Sequence, residues 1–437
     1  MNSKTSVAGC IAFLIFVTTS SAQNDNLSNL SPEWVRSGAR NAAFDAADAV
    51  VYNPGGVSRL KSGFHLGVGN QSLFRKPKHE YNYGAGPLKY EQDGNDLLLP
   101  SIYASYNKNK WAVFGALYIA GGGGATANFS KGSISTDLMT LLAAYNLAPT
   151  GNDSTYGKNA SLKATSAYIT PTLGFSYSVN ETFSFGISAR YFIARNKINT
   201  KVTIGDITGT YPDIPLEVDI EQKASGADAI FGIDIKPSNK LNFSLRYEMK
   251  TKLDFETIQH KDNIGLTTDG EKNRRDFPAV LGFGSAYSFS EKFKVLADFN
   301  YSFQTSADWD STTVLGIRKP LSPLAGKGYN YGIALEYKIN PKILVCLGMA
   351  SANIKFSDQA GYYTILGAFE TIPDNNITLH AGAGYNITDK TRINLGFLNA
   401  FYKTDKKIKA LNYYPLDVDV TVNNTIQVVA LGVDFLF

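Results

Sequence analysis

The 437-residue sequence is poor in cysteine, tryptophan and histidine, with two, three and four of them respectively. Cys10 lies in the export signal predicted below, so Cys346 alone would remain after cleavage, and one cysteine cannot form an internal disulfide. The histidines are scattered without metal-ligand spacing, at His65, His79, His260 and His380. We therefore expect no disulfide framework, no metal site and no cofactor.

The sequence also lacks the motifs of common catalytic sites: it has no Gly-x-Ser-x-Gly, no Walker loop and no His-Glu-x-x-His. A catalytic triad built from residues distant in the sequence would leave no such motif. Because no catalytic motif is present, we expect a protein that is not an enzyme. The formal net charge is only +4, from 42 basic and 38 acidic residues that are interspersed. Nucleic-acid binding needs a concentrated basic patch, so we expect no nucleic-acid partner.

Long apolar runs are absent as well. The run from Val7 to Val17 follows Lys4 and precedes the small residues Ser20, Ser21 and Ala22. It is too short to span a bilayer as a helix and has the pattern of a secretory signal peptide, here residues 1–22. The predicted mature chain is exported and has no transmembrane helix, which leaves a soluble exported protein or a β-barrel.

Tyrosine and phenylalanine are abundant instead, with 25 and 26 residues, and many lie in segments where apolar and polar residues alternate. The clearest segment runs from Leu241 to Phe255. A period of two places the apolar and polar residues on opposite faces of a sheet. On the polar face, Arg246 and Lys250 are candidate charges of a barrel lumen, and Glu248 between them offers an internal ion-pair partner.

About fourteen such segments follow residue 60, and short turns alternate with long gaps between them. An even number of strands with this alternation is typical of an outer-membrane barrel. A soluble sandwich or jelly roll explains the charged face of strand after strand less well. The predicted segments are 62–74, 99–108, 110–120, 168–179, 181–198, 222–236, 239–257, 277–290, 292–304, 328–339, 342–351, 375–387, 391–402 and 424–437.

Residues 31–60 differ from everything after them. Ser31 can cap a helix, Pro32 suits its first position, and Gly38 would interrupt a helix over roughly 32–49. The stretch ends in a strong turn signal, Asn53-Pro54-Gly55-Gly56. A fourteen-stranded barrel leaves space that side chains cannot fill. We therefore predict that residues 23–60 form a partly helical plug inside a barrel of residues 61–437, with a flexible arm as the alternative.

The chain resembles the FadL/OmpP1/TodX family of outer-membrane transporters for hydrophobic compounds. The matching segments run in the family's order over the whole predicted mature chain, although Gly55 stands where the family usually has Ala. They are 37–42 (SGARNA), 51–55 (VYNPG), 277–282 (FPAVLG) with a strand pair ending near Trp309, 372–375 (IPDN), 379–383 (LHAGA), 395–397 (LGF) and 401–403 (FYK).

The resemblance implies a fourteen-stranded barrel with an N-terminal hatch, and a ligand that leaves sideways through a kink in the third strand. The hatch residues that it indicates are Trp34, Gly38, Arg40, Asn53, Pro54 and Gly55. Glycines permit a bend, so we predict the lateral opening at Gly121, Gly122, Gly123 and Gly124, with a loop hinge as the alternative.

The following loop carries apolar residues at helical spacing, which predicts either a ligand-capture face or packing on neighbouring loops. These residues are Ile134, Leu138, Leu141, Leu142 and Tyr145. The predicted function is passive transport of long-chain fatty acids or aromatic hydrocarbons across the outer membrane of a Gram-negative bacterium. The predicted protein is a monomer that contacts outer-membrane lipid. A general diffusion porin and a surface-binding or adhesion barrel without flux are the alternatives.

Overall fold

In the computed structural model of the chain, fourteen antiparallel strands form one closed sheet. Each strand pairs with the next along the chain, and the last pairs with the first, with Val68 opposite Val433. The predicted fourteen-stranded barrel is therefore confirmed. The strands are numbered here β1 to β14: Gly63–Arg75, Asp96–Lys108, Trp111–Gly121, Thr155–Ser178, Phe183–Asp206, Ile214–Ser238, Leu241–Glu248, Val280–Ser288, Phe293–Ser302, Lys327–Lys338, Ile343–Lys355, Asn376–Thr388, Thr391–Ile408 and Val418–Leu436.

The structure describes residues 27–76, 78–82, 87–122, 127–137, 139–140, 155–206, 212–314, 317–366, 370, 375–408 and 418–437. The predicted signal peptide lies outside these residues. Shorter strands and helices in the long connections are Lys78–Asn82, Pro87–Glu91, Ala127–Phe129, Asp254–Asp262, Lys272–Arg274, Ser311–Val314 and Ile317–Pro320, and the helical turns Gln304–Ser306, Ser322–Ala325 and Gln359–Leu366. None of the helices in the described part of the chain has the length and apolarity that crossing a bilayer requires.

The outer surface of the closed sheet is apolar and its inner surface is polar. On β5, Phe185 and Ile187 are exposed, whereas Ser184, Ser188 and Arg190 are buried. The same arrangement, with apolar residues outside and polar residues inside, recurs around the sheet. Leu173 on β4, for example, is 75% exposed. An apolar outer band with a polar interior is what a barrel in a lipid bilayer requires, and a soluble sandwich shows the opposite arrangement.

Strands β4, β5 and β6 extend far beyond the apolar band at the end of the barrel that carries the long connections. They have 24, 24 and 25 residues. A cluster of buried apolar residues joins these extensions to the long connections, and Phe129, Ile198 and Trp309 belong to it. The loops at this end therefore have a packed core of their own.

One predicted strand differs from the observed structure. Strand β7 ends at Glu248, and residues 249–253 leave the ladder except for a single bridge from Thr251 to Phe277. The chain then resumes as Asp254–Asp262, which pairs with β6. The break changes the phase of the alternation, so that Phe255 is buried and does not share the outward face of Leu245.

The N-terminal segment, defined as residues 27–60, contains two short helices and a 3₁₀ turn. Helix α1 is Pro32–Ser37, helix α2 is Ala49–Tyr52, and the 3₁₀ turn is Pro54–Arg59. Helix α1 contacts β10 to β14 and β1, whereas the 3₁₀ turn contacts β2 to β7. Contact with opposite walls of a closed sheet places the segment in its interior.

Candidate functional site

Helix α1 begins at Pro32 and is interrupted at Gly38, as the sequence predicts, but residues 38–48 are not helical and the predicted helix over 32–49 resumes only at Ala49. The Ser31 hydroxyl accepts a hydrogen bond from Trp34 N (3.0 Å) and donates one to Asp48 (2.8 Å). Gly38 ends the helix with φ of 78°, a conformation that glycine adopts without strain. The Trp34 ring packs edge-on against His380 of β12, with centroids 4.9 Å apart, and so joins α1 to the wall.

Ion pairs hold the N-terminal segment together and connect it to the wall, and all of their residues but Asp45, which is exposed, are buried. Arg40 lies 2.8 Å from Asp45 and 2.7 Å from Asp48, and Arg36 reaches Glu336 on β10 at 3.4 Å. Arg40 and other nearby cations hold the pKa of Asp45 well below its ordinary value. Removing one partner of a buried pair costs about 3–5 kcal/mol, so these contacts oppose displacement of the segment.

The Asn53 turn is fixed to β6 through Asp234. The Asn53 amide donates to one carboxylate oxygen of Asp234 at 2.7 Å, and Arg59 Nε donates to the other at 2.6 Å. Asn242 of β7 donates to the same carboxylate at 2.7 Å. The Asn53 side-chain oxygen caps the turn by accepting from Gly56 N at 3.1 Å. Asp234 thus anchors this turn, together with Ser176 of β4 and Asn107 of β2, which bond its backbone.

Glycines on the wall make room for the segment at several of its contacts. A Cβ on Gly348 would lie 1.8 Å from Ser37 O, and one on Gly186 would lie 2.2 Å from Pro54 O. On the segment itself, a Cβ at Gly55 would lie 2.8 Å from Asp234 N. This contact explains why glycine stands where alanine was expected from the resemblance. Other wall glycines in contact include Gly69, Gly232, Gly284, Gly332, Gly382, Gly396 and Gly432.

A small cleft of about 60 Å³, partly open to solvent, lies between the segment and the wall. Apolar and aromatic side chains from both sides line it, including Leu27, Trp34, Tyr52, Phe277 and Tyr329. The other half of the lining is polar or charged, so the cleft offers an apolar wall beside hydrogen-bonding groups.

The charges in the cleft are balanced. Arg190 of β5 lies 2.7 Å from Asp228 and 2.6 Å from Glu248, and Arg246 lies 3.0 Å from Glu248. Arg246 also donates to the backbone oxygens of Val51 and Tyr52, both at 2.9 Å. Both guanidinium groups are therefore occupied by the protein's own acceptors. Lys250, the other predicted lumen charge, is instead exposed at the rim and pairs with Asp276 at 3.3 Å.

The wall beside the cleft is incomplete between β2 and β3. The register pairs of their ladder run from Lys108 opposite Trp111 to Ile102 opposite Leu117, and the ladder stops there. Residues 96–101 of β2 continue along β1 but have no partner on β3. Leu98 in this unpaired part of β2 is 78% exposed. The gap lies next to Ala120, which is one of the residues that line the cleft.

The end of strand β3, where we predicted the lateral opening, is irregular. Its register with β4 shifts between Ile119 and Gly121, and Gly122 follows with φ of 68°. The Ala120 carbonyl accepts a hydrogen bond from Leu27 N at 2.9 Å, so the N-terminal segment is bonded to β3 beside the gap. Gly123 and Gly124 lie outside the described residues.

The predicted capture loop is described only in part. Ile134 is buried in the apolar cluster of the long connections. This position agrees with packing on neighbouring loops, the alternative to a ligand-capture face. Leu138, Leu141, Leu142 and Tyr145 lie outside the described residues. Asp137, in the same helical turn, accepts hydrogen bonds from the hydroxyls of Tyr81 and Tyr90. Among the described residues, no three His, Cys, Asp or Glu side chains are grouped to hold a metal.

Solved structures of known fold resemble this chain over almost its whole length. A Pseudomonas aeruginosa FadL homologue matches with a TM-score of 0.66 and 13% identity, covering 93% of this chain and 98% of its own. The P. putida toluene transporter TodX matches with 0.63 and 15%, covering 94% and 99%. The Ralstonia pickettii toluene transporter TbuX matches with 0.61 and 16%, covering 94% and 99%.

No protein-family model and no curated protein matches the sequence. At these identities the structural matches concern the fold, and they agree with the resemblance found in the sequence. The chain has the fold of the FadL- and TodX-type channels of the outer membrane.

Proposed function

We propose that this protein takes up hydrophobic small molecules passively across the outer membrane of a Gram-negative bacterium and releases them sideways into the bilayer. The observation that carries the proposal is the cleft beside the wall gap. A ligand held against Trp34 and Phe277 lies next to Ala120, where the β2–β3 ladder has already ended. The gap faces the apolar outer surface, so a hydrophobic molecule can leave without crossing an aqueous lumen.

The N-terminal segment acts as the hatch in this proposal. Its contacts with both walls and its buried ion pairs support a lumen closed to hydrophilic solutes. This argues against a general diffusion porin, which needs an open lumen. Transport then needs only rearrangement at the tail around Leu27, and the protein works as a monomer without catalysing a reaction.

The charge balance of the cleft favours an uncharged ligand. A fatty-acid carboxylate would need a free cation, but Arg190 and Arg246 already pair with Asp228 and Glu248. Two of the proteins of similar fold are toluene transporters. We therefore favour compact uncharged hydrocarbons, including aromatic ones, over long-chain fatty acids.

The lateral exit can be tested by tethering the gap. Leu98→Cys with Ile119→Cys places thiols on the two strands that border it, and a bifunctional thiol reagent would close it. In proteoliposomes, cross-linking should lower uptake of a labelled alkylbenzene at least tenfold while ligand binding is retained. The matched control is Tyr106→Cys with Val113→Cys, two exposed residues that are already register partners.

Cross-linking the control pair should leave uptake unchanged because the ladder is closed there. Uptake that persists after complete cross-linking of the gap would refute the lateral exit. Loss of uptake in both pairs would attribute the effect to the reagent and not to the gap.

A further inference from the structure

Strand β5 shows where the apolar outer band ends on the side of the long connections. Its outward residues from Phe183 to Ile193 are mostly apolar, a length of eleven residues that matches one crossing of a bilayer. The next outward residues are Arg195 and Lys197. These two cations therefore lie at the level where the lipid headgroups begin, on the side of the long connections.

A third cation, Lys163, comes from the neighbouring strand. Arg195 is opposite Ala167 of β4, and Lys197 is opposite Thr165, two residues from Lys163. Diagonal neighbours of this kind lie about 7–8 Å apart, so the two lysine side chains can meet on one anion. Lys163 and Lys197 both have exposed side chains.

These two lysines have no ion-pair partner among the described residues, unlike the other cations nearby. Arg195 and Lys223 both pair with Glu221, and Lys201 pairs with Glu217 at 3.0 Å. Glu221 on β6 is the register partner of Lys197 but forms its ion pairs with Arg195 and Lys223, so Lys163 and Lys197 remain available to an anion. Below it, exposed Ile169, Leu173 and Ile193 continue into the apolar band.

We propose that Lys163, Arg195 and Lys197 form a binding site for a phosphorylated headgroup of an outer-leaflet lipid, whose acyl chains lie along Ile169, Leu173 and Ile193. Cations at a membrane surface attract anionic headgroups, and the apolar surface below them fits the chains of the same molecule. The site is independent of the proposed transport, because it lies on the outside of the barrel, away from the cleft.

The test is a titration of the purified full-length protein with lipid A, followed by native mass spectrometry. The same lipid without its phosphates is the second probe. Each lysine near the surface contributes about 1 kcal/mol, or about fivefold in affinity. Lys163→Ala with Lys197→Ala should therefore bind lipid A about thirtyfold more weakly. Lys163→Arg with Lys197→Arg should bind it like the unmodified protein.

Lys292→Ala with Lys342→Ala is the matched control, because these lysines lie on short turns at the opposite end of the barrel. This control should bind lipid A normally, and dephosphorylated lipid should bind equally to all variants. Equal binding of both lipids to the unmodified protein would overturn the proposal. Normal binding by the double alanine variant, or equal loss in the control, would overturn it as well.

Discussion

Asp234 gives the sharpest test of how the N-terminal segment is held. Its carboxylate has no exposed side-chain surface and accepts hydrogen bonds from Asn53, Asn242 and Arg59, at 2.7, 2.7 and 2.6 Å. Asp234→Ala leaves the Arg59 charge with only the backbone oxygens of Glu181 and Thr182. Breaking a buried pair in this way costs about 3–5 kcal/mol.

If about 3 kcal/mol of that cost falls on docking of the turn, the undocked population rises about a hundredfold. Hydrogen exchange measures this directly, because the amides of Gly56 and Leu60 are bonded within the turn. We expect both amides to exchange about a hundredfold faster in Asp234→Ala. Strand amides of β8 and β9 should keep their rates, since they do not contact Asp234.

Asp389→Ala is the control, because this carboxylate lies exposed in a short turn. It should leave the exchange of Gly56 and Leu60 unchanged. Normal protection of the two amides in a correctly folded Asp234→Ala barrel would refute the reasoning, since the turn would then be held by other contacts.

Three further predictions concern other contacts of the same molecule. Asn53→Ala removes a hydrogen bond to Asp234 and the cap on Gly56. It should therefore destabilise the docked turn by about 1–3 kcal/mol and raise nonspecific conductance in planar bilayers. Unchanged conductance would contradict the anchoring role of Asn53. Gly348→Ala places a Cβ 1.8 Å from Ser37 O, so α1 must shift and proteolysis of the N-terminal segment should accelerate. Gly115→Ala is the control, because its Cβ would have its nearest atoms at 3.2 Å, and it should have little effect on this proteolysis. Burial raises the pKa of Asp137, and its tyrosine hydrogen bonds do not fully offset this. Because the folded pKa is raised, protonation of Asp137 stabilises the loop cluster as the pH falls through that raised value, and the protease resistance of the loops should increase as the pH falls. Asp137→Asn should abolish this pH dependence. An unchanged pH dependence in the variant would contradict the prediction.

The sequence was informative where a short period or a local rule controls the structure. Alternation along β5, from Phe183 to Ile193, predicts an outward apolar face, and the same rule yields the fourteen strands. Ser31 and Gly38 bound α1 because capping and a positive φ are local requirements. These features need no knowledge of what lies across the barrel.

The contacts of the candidate site could not be predicted in this way. Asp234, Arg190 and Gly348 are far from residues 27–60 in sequence, and their roles depend on which strands face the segment. The inward glycines left a signal, since they recur on the polar face of successive strands, but glycine within a strand is equally typical of bulges and sharp bends. The break after Glu248 was missed because the alternation continues through it in the sequence, although the ladder does not.

The measurement that tests the central claim most directly compares two solutes in proteoliposomes containing the full-length protein. One solute is a labelled alkylbenzene and the other is a small labelled sugar. We predict that the protein accelerates alkylbenzene uptake and leaves the sugar at the rate of empty liposomes, because the segment closes the lumen while the wall gap stays accessible. Sugar entry at a porin-like rate, or no acceleration of the hydrocarbon, would contradict the account.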